Sequence, residues 1–321
     1  PRERLFSGQI DKYTHFSLRH QTLDTLHRHR QSAVYGLSGP RIQPLPHQLY
    51  IASEVGRRQA PRVLLADEVG LGKTIEAGLI LHQQLMTGRV RRALVVVPES
   101  LQHQWLVEML RRFNLSFTLL DEARCQGMAG LDDIDPSLLP DDEEIVIAEA
   151  EDNPFESEQL ILCSLEFLTG SEQRYQQAVE AGWDLLLVDE AHHLQWYDGE
   201  PSASYRCIEG LSKVSDGLLL LTATPEQLGV ESHFARLRLL DPDRYHDLNA
   251  FLAEHDGYEA LNQRVQGLLA ARDGSSSDVV NALDGALTDY LSEAELKRLK
   301  TQAKDQPGEA VGQAIHALLD R

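Results

Sequence analysis

The stretch Leu64-Leu65-Ala66-Asp67-Glu68-Val69-Gly70-Leu71-Gly72-Lys73-Thr74 decides the fold. Val63 to Ala66 reads as a buried parallel strand, and Ile75 to Met86 as a helix with apolar residues at helical spacing. Between them lies a glycine-containing turn that ends in Gly-Lys-Thr. Strand, tight loop and helix N-terminus are the setting a phosphate-binding loop needs. N–H groups of the loop and first helical turn point at an anion, and Gly70 and Gly72 let the backbone come close to it. Lys73 has the reach for β- and γ-phosphates, and Thr74 has the hydroxyl that ligates Mg²⁺. The strict pattern wants glycine where this chain has Asp67. By that template alone the match is partial, and a chance Gly-Lys-Thr in a surface turn competes with it until a second motif is found.

That second motif is Leu185-Leu186-Leu187-Val188-Asp189-Glu190-Ala191-His192. An apolar run of this length reads as a central strand with its acids at the C-terminal end, where ligands bind in open α/β sheets. Asp189 is placed to hold Mg²⁺, and Glu190 to orient and deprotonate an attacking water. Acid pairs also end ordinary strands, so it is the combination with the upstream loop that carries the reading. Further strands are expected at Ala93 to Val97, Leu160 to Ser164 and Leu218 to Leu221, with helices at 101–112 and 172–181. Ser100 is expected to cap the first of these helices, and Trp105 to sit in the core rather than serve as a stacking platform.

Asp67-Glu68-Val69-Gly70-Leu71-Gly72-Lys73-Thr74, Asp189-Glu190-Ala191-His192 and Thr222-Ala223-Thr224-Pro225 together resemble the superfamily-two helicase-type motors. Within these the likeness is to the SWI/SNF class, in which aspartate at position 67 is at home. Pro1 to Asp11, Ala60 to Gly78, Pro98 to Asn114 and Leu219 to Pro242 are similar to the RNA polymerase-associated ATPases of bacteria in that class. The likeness covers most of residues 1–242 and fades afterwards. It implies an α/β, RecA-like lobe with a doubly wound, mostly parallel sheet and helical flanks at both ends, using ATP and Mg²⁺. It also implies a translocase on the DNA or RNA backbone that acts on RNA polymerase to remodel or recycle stalled complexes. By resemblance Gln48 reads adenine through its amide, and Pro98, Ser100, Gln104 and Ser164 touch the nucleic-acid backbone. His192, Thr222 and Thr224 couple nucleotide state to motion. Two other functions stay open: a strand-separating helicase lobe of the Asp-Glu-Ala-His type, and a module that holds ATP and a protein partner without turnover. Intact Lys73, Asp189 and Glu190 argue against the second.

Composition sets bounds. The chain has 321 residues and a formal net charge of −20, so its surface as a whole repels nucleic acid and any such contact needs a local donor strip. Residues 132–158 hold twelve acids and no Lys or Arg, read as a solvated, partly mobile insertion rather than a calcium loop. Cys125, Cys163 and Cys207 lack C-x-x-C spacing, which fits a reducing cytoplasm. No apolar run reaches the roughly 18 residues of a membrane span, so no membrane association is expected. Residues 1–46 form a helical extension in which Ser17 is expected to start a helix. Its histidines 15, 20, 27 and 29 read as a solvated face rather than a metal site. Arg57, Arg58 and Arg62 add positive charge for nucleotide, polymer or solubility. The motor lobe is placed at 47–240. Residues 241–321 read as helical, with a Gly274-Ser275-Ser276-Ser277 joint and a capping-box pattern from Ser292. The chain starts at Pro1 and has no Gln-x-x-Gly-Arg-x-x-Arg stretch. It is therefore expected to be one lobe of a longer two-lobed motor.

Overall fold

The strands are Arg62–Leu65 (β1), Ala93–Val97 (β2), Thr118–Leu120 (β3), Leu160–Ser164 (β4), Trp183–Val188 (β5) and Ser215–Leu221 (β6). In this computed structural model they form one six-stranded sheet in the order β1-β6-β5-β2-β4-β3. Every neighbouring pair is parallel. The structure describes residues 12–32, 34–67, 70–129, 153–197, 200–223, 229–272, 276–287 and 293–319. Several expectations fall outside these: the Pro1 to Asp11 likeness, Glu68, Val69, 132–152, Thr224, Pro225, most of the Gly274 joint and the Ser292 cap.

Helices Tyr13–Arg30 (α1), Pro46–Gly56 (α2), Lys73–Met86 (α3), Gln102–Glu108 (α4), Glu122–Ala129 (α5), Leu165–Gly170 (α6), Glu172–Glu180 (α7), Ala203–Val214 (α8) and Val230–Leu240 (α9) accompany the sheet. β2 is buried at every position, and β5 and β6 nearly so. Their unbroken Leu/Val runs are what a parallel strand covered on both faces requires. The core joins Ala77, Leu79, Ile80 and Leu81 of α3 to Val95 and Val97 of β2, Leu185 and Leu187 of β5 and Leu219 and Leu221 of β6. A RecA-like α/β lobe results, with the ends of β1, β5 and β6 on one edge.

Four local expectations are corrected. Ser17 lies inside α1, which starts after Lys12, and no residue of α1 is buried. Ser100 does not cap a helix: the chain enters α4 through a 3₁₀ turn, Glu99–Leu101, and leaves it through a π turn, Met109–Phe113. The acidic insertion ends before residue 153. Phe155 is fully buried against Phe167 and Trp183, and its carbonyl accepts from Arg92 at 2.7 Å, so Asn153 to Glu158 belong to the lobe. Arg62 serves neither ligand nor solubility. Its guanidinium donates to the carbonyls of Leu239 (2.7 Å), Leu240 (2.8 Å), Ser212 (3.1 Å) and Ser215 (3.2 Å). One cation thus satisfies the open carbonyl ends of α8 and α9, where the helix dipole also favours positive charge. Arg62→Met keeps the aliphatic stem and removes all four donors. It is expected to lower stability by roughly 2–4 kcal/mol, given 1.5–3 for a charged hydrogen bond and partial replacement by water. Denaturant unfolding checks this, and a loss under 1 kcal/mol would mean water replaces the clasp at no cost.

Two compact units are present, Pro1–His246 and Asp247–Arg321. The second consists of Leu248–Ala271 (α10), Ser276–Leu287 (α11), Glu293–Asp305 (α12) and Pro307–Leu319 (α13). Asp247 starts α10 by accepting from the N–H groups of Asn249 and Ala250 at 2.8 and 3.1 Å. Leu268, Val279, Leu283, Leu287, Leu299, Val311 and Leu318 form its own core.

Candidate functional site

The loop after β1 turns through two left-handed glycines, Gly70 at φ +90 and Gly72 at φ +87. A side chain at Gly72 would also strike Gln48, since its Cβ would lie 2.6 Å from Nε2. A Cβ at Gly70 meets nothing within 4 Å among the described residues. Lys73 begins α3, and its Nζ donates to the Asp67 carbonyl at 2.8 Å. Thr74 follows in the first turn.

Gln48 is 4% exposed and bridges two segments. Its Oε1 accepts from the Leu45 N–H at 3.0 Å, and its Nε2 donates to the Leu71 carbonyl at 2.8 Å. One donor and one acceptor of the amide therefore fix α2 to the loop. One N–H and one lone pair are left for a base edge.

At the end of β5 the Asp189 N–H pairs with the Val96 carbonyl at 3.0 Å. Its carboxylate takes two donors, the Trp105 indole N–H on Oδ2 at 2.7 Å and the Glu190 N–H on Oδ1 at 2.8 Å. Each oxygen keeps a lone pair for a cation. Burial raises the Asp189 pKa, against the opposing pull of these two bonds and of Lys73. Glu190 has φ 49 and ψ 46, a left-handed conformation that costs a long side chain energy. Asn114 is the one other non-glycine residue of this kind among the described residues. Such strain persists where the surroundings impose it, often at functional sites. The Glu190 carboxylate meets His192 Nδ1 at 2.9 Å. Burial lowers the His192 pKa, with His193 adding to the effect and Glu190 opposing it. The two atoms are in contact without the geometry of a hydrogen bond. Thr222 is buried and continues β6, its N–H on the Leu65 carbonyl at 3.0 Å, so it stands between the two motifs.

The expected backbone-contact residues divide. Pro98 is partly exposed, Ser100 is exposed on the turn after β2, and Gln104 is exposed on α4. Ser164 is buried, and its Oγ accepts from the Phe167 N–H at 3.0 Å, capping α6.

Glu76 was not singled out in the sequence. It is fully buried on α3 and faces His47 at 3.7 Å, and neither of its oxygens has a hydrogen-bond partner among the described residues. Burial, then the neighbouring Asp67 carboxylate, raise its pKa to about 7, with Lys73 opposing. An acid with a raised folded pKa stabilises fully below its unfolded value and loses that contribution as pH rises through the folded one. At about 1.4 kcal/mol per pKa unit, the loss between pH 5 and 8 is on the order of 2 kcal/mol. Glu76→Gln mimics the protonated acid, so its stability is expected to match the parent at pH 5 and exceed it at pH 8. A variant whose urea midpoint falls with pH as steeply as the parent's would remove Glu76 as the cause. The one sequence signal was an acid inside the apolar run Ile75 to Leu81.

These loops follow β1 and β5, which the strand order sets on either side of β6, and Lys73 lies near enough to Asp189 to act on its charge. The model of the SNF2-related domain matches residues 24–302. The chain belongs to the SNF2-related domain family. Similar proteins include the RNA polymerase-associated protein RapA of Vibrio cholerae serotype O1 (strain M66-2), 51% identical over 322 residues, covering 100% of this chain and 31% of that protein. The protein of the same name from Vibrio atlanticus (strain LGP32) is 52% identical over 299 residues, covering 93% of this chain and 28% of that one. The chain thus spans about a third of the length of these SNF2-related relatives. The Sulfolobus solfataricus SWI2/SNF2 ATPase core in complex with dsDNA matches with a TM-score of 0.49 and 16% identity, over 88% of this chain and 65% of that one.

Proposed function

We propose that this chain is the first motor lobe of an ATP-driven translocase on nucleic acid that acts on RNA polymerase in the cytoplasm, remodelling or recycling stalled complexes. The observation that carries the motor reading is the convergence of Lys73, Thr74, Asp189 and Glu190 at one edge of the sheet. The polymerase role is supported by the relatives' names.

Lys73 and the open N–H groups of the α3 terminus would hold the phosphates, with Nζ leaving the Asp67 carbonyl for a phosphate oxygen. Thr74 and Asp189 are the residues that would hold Mg²⁺, and their oxygen donors suit a hard cation. Bound there, Mg²⁺ supplies positive charge against the β- and γ-phosphate oxygens. Glu190 accepts the proton of the attacking water, and His192 keeps its carboxylate turned. Gln48 offers its remaining donor and acceptor to adenine. Thr222 stands where it can bond the Asp189-Glu190 pair in one state and release it in another. Ser100 and Gln104 offer exposed donors to a polynucleotide backbone, which carries no base information.

The decisive experiment is ATP hydrolysis by the full-length protein with and without DNA, RNA and RNA polymerase. Stimulation by a polynucleotide is the expected result, and a rate indifferent to all three would sink the translocase reading. Lys73→Ala in the same protein is expected to abolish phosphate binding with unchanged circular dichroism, because Lys73 is the first residue of α3 and not part of the core. Unchanged ATP affinity would remove the loop assignment.

A further inference from the structure

Three tryptophans occur in the sequence. Trp183 and Trp105 are both buried, at 3% and 1% exposure, and both indole N–H groups are satisfied. A buried indole has one donor and must spend it. Trp183 gives it to a backbone carbonyl, that of Ala178 at 2.8 Å, a purely structural choice. Trp105 gives it to Oδ2 of Asp189 at 2.7 Å, across 84 residues of sequence. An ionised acceptor makes this a charge-assisted bond, stronger than the neutral one.

The geometry of the Asp189 carboxylate explains what the bond does. The Glu190 N–H holds Oδ1 and the Trp105 N–H holds Oδ2. Donors on both oxygens fix the plane of the group, so the remaining lone pairs point one way. With Trp105 removed, the group could turn about its Cβ–Cγ bond. The indole cannot follow such a turn, because it is packed in the core with Met109, Phe113 and Leu187.

We propose that Trp105 is a positioning residue that orients the Asp189 carboxylate for Mg²⁺. This rests on the reading of Asp189 as a metal-holding residue. Partners that fix a ligating group are worth roughly 10–100-fold in metal affinity. Trp105 also lies on α4, which carries exposed Gln104, so the same bond ties the magnesium-holding acid to the segment offered to a polynucleotide.

The test is made in the full-length protein with Trp105→Phe, which keeps an aromatic ring and deletes the donor. Binding of a fluorescent ATP analogue is titrated with Mg²⁺ and, separately, measured in excess EDTA. The half-saturating Mg²⁺ concentration is expected to rise roughly 10–100-fold, while affinity in EDTA stays within twofold of the parent. A loosened core would instead weaken both measurements in proportion, and that result overturns the proposal. So does a Mg²⁺ requirement within twofold of the parent. Benzothienylalanine at position 105 keeps the bicyclic shape and lacks only the N–H. It gives the same readout if the smaller phenyl ring prevents folding. If the parent itself binds nucleotide without regard to Mg²⁺, the assignment of Asp189 to magnesium falls and the proposal with it. A parent that responds to Mg²⁺ beside an unchanged variant removes only the role of Trp105.

Discussion

Glu190→Gln in the full-length protein is expected to bind ATP as the parent does and to turn it over roughly 10²–10⁴-fold more slowly, the range for losing a positioned general base. The amide is isosteric with the carboxylate but takes up no proton from water at neutral pH. His192 Nδ1, which lies 2.9 Å from the acid, makes no hydrogen bond that the change would break. The left-handed backbone at Glu190 is left as it was, so the fold should be indifferent to the change. ATP binding, melting temperature and steady-state hydrolysis are measured side by side. Turnover within threefold of the parent would mean that another group activates the water. Lost ATP binding would mean that Glu190 serves the nucleotide rather than the water.

Residues 1–321 on their own are expected to hydrolyse ATP about 10³–10⁵-fold more slowly than the full-length protein, the contribution of an arginine finger to phosphoryl transfer. On the proposed reading Lys73 would approach the phosphates from one side of the cleft, and in superfamily-two motors the second lobe brings arginine to the other. The chain spans about a third of its SNF2-related relatives and has no Gln-x-x-Gly-Arg-x-x-Arg stretch. Two arginines of the lobe are committed elsewhere: Arg62 clasps two helix ends and Arg236 is fully buried on α9. Nucleotide affinity should drop as well, since half of the ligand would face water. Equal rates for the two proteins, per site and with DNA present, would overturn the two-lobed account. Self-association of the chain would then have to supply the arginine.

The sequence by itself determined the class of fold and which strand ends carry the candidate residues. β2 and β4 run over the residues read as strands, because continuous apolar runs between polar ends leave a strand little freedom at its boundaries. The glycine loop between β1 and α3 was legible for a related reason: strand, glycines, lysine and hydroxyl are neighbours in the chain, and local backbone geometry is enough to assemble them. Partners of side chains were not legible. Nothing in the periodicity of 101–112 says that Trp105 faces Asp189 rather than another apolar residue, nor that Arg62 reaches both α8 and α9. Ser100 met the local pattern of a cap and is not one, while Ser164 was assigned by resemblance to a ligand and caps α6. Glu76 reads as a misplaced charge until burial and the neighbouring Asp67 carboxylate are seen to raise its pKa. These pairings are made by the strand order, which sets β6 and β5 between β1 and β2 and so folds distant loops onto one edge. Apolar periodicity encodes which face of an element is buried. It does not encode which element lies across from it, and that choice, made only when the sheet closes, decides where each polar group finds its partner.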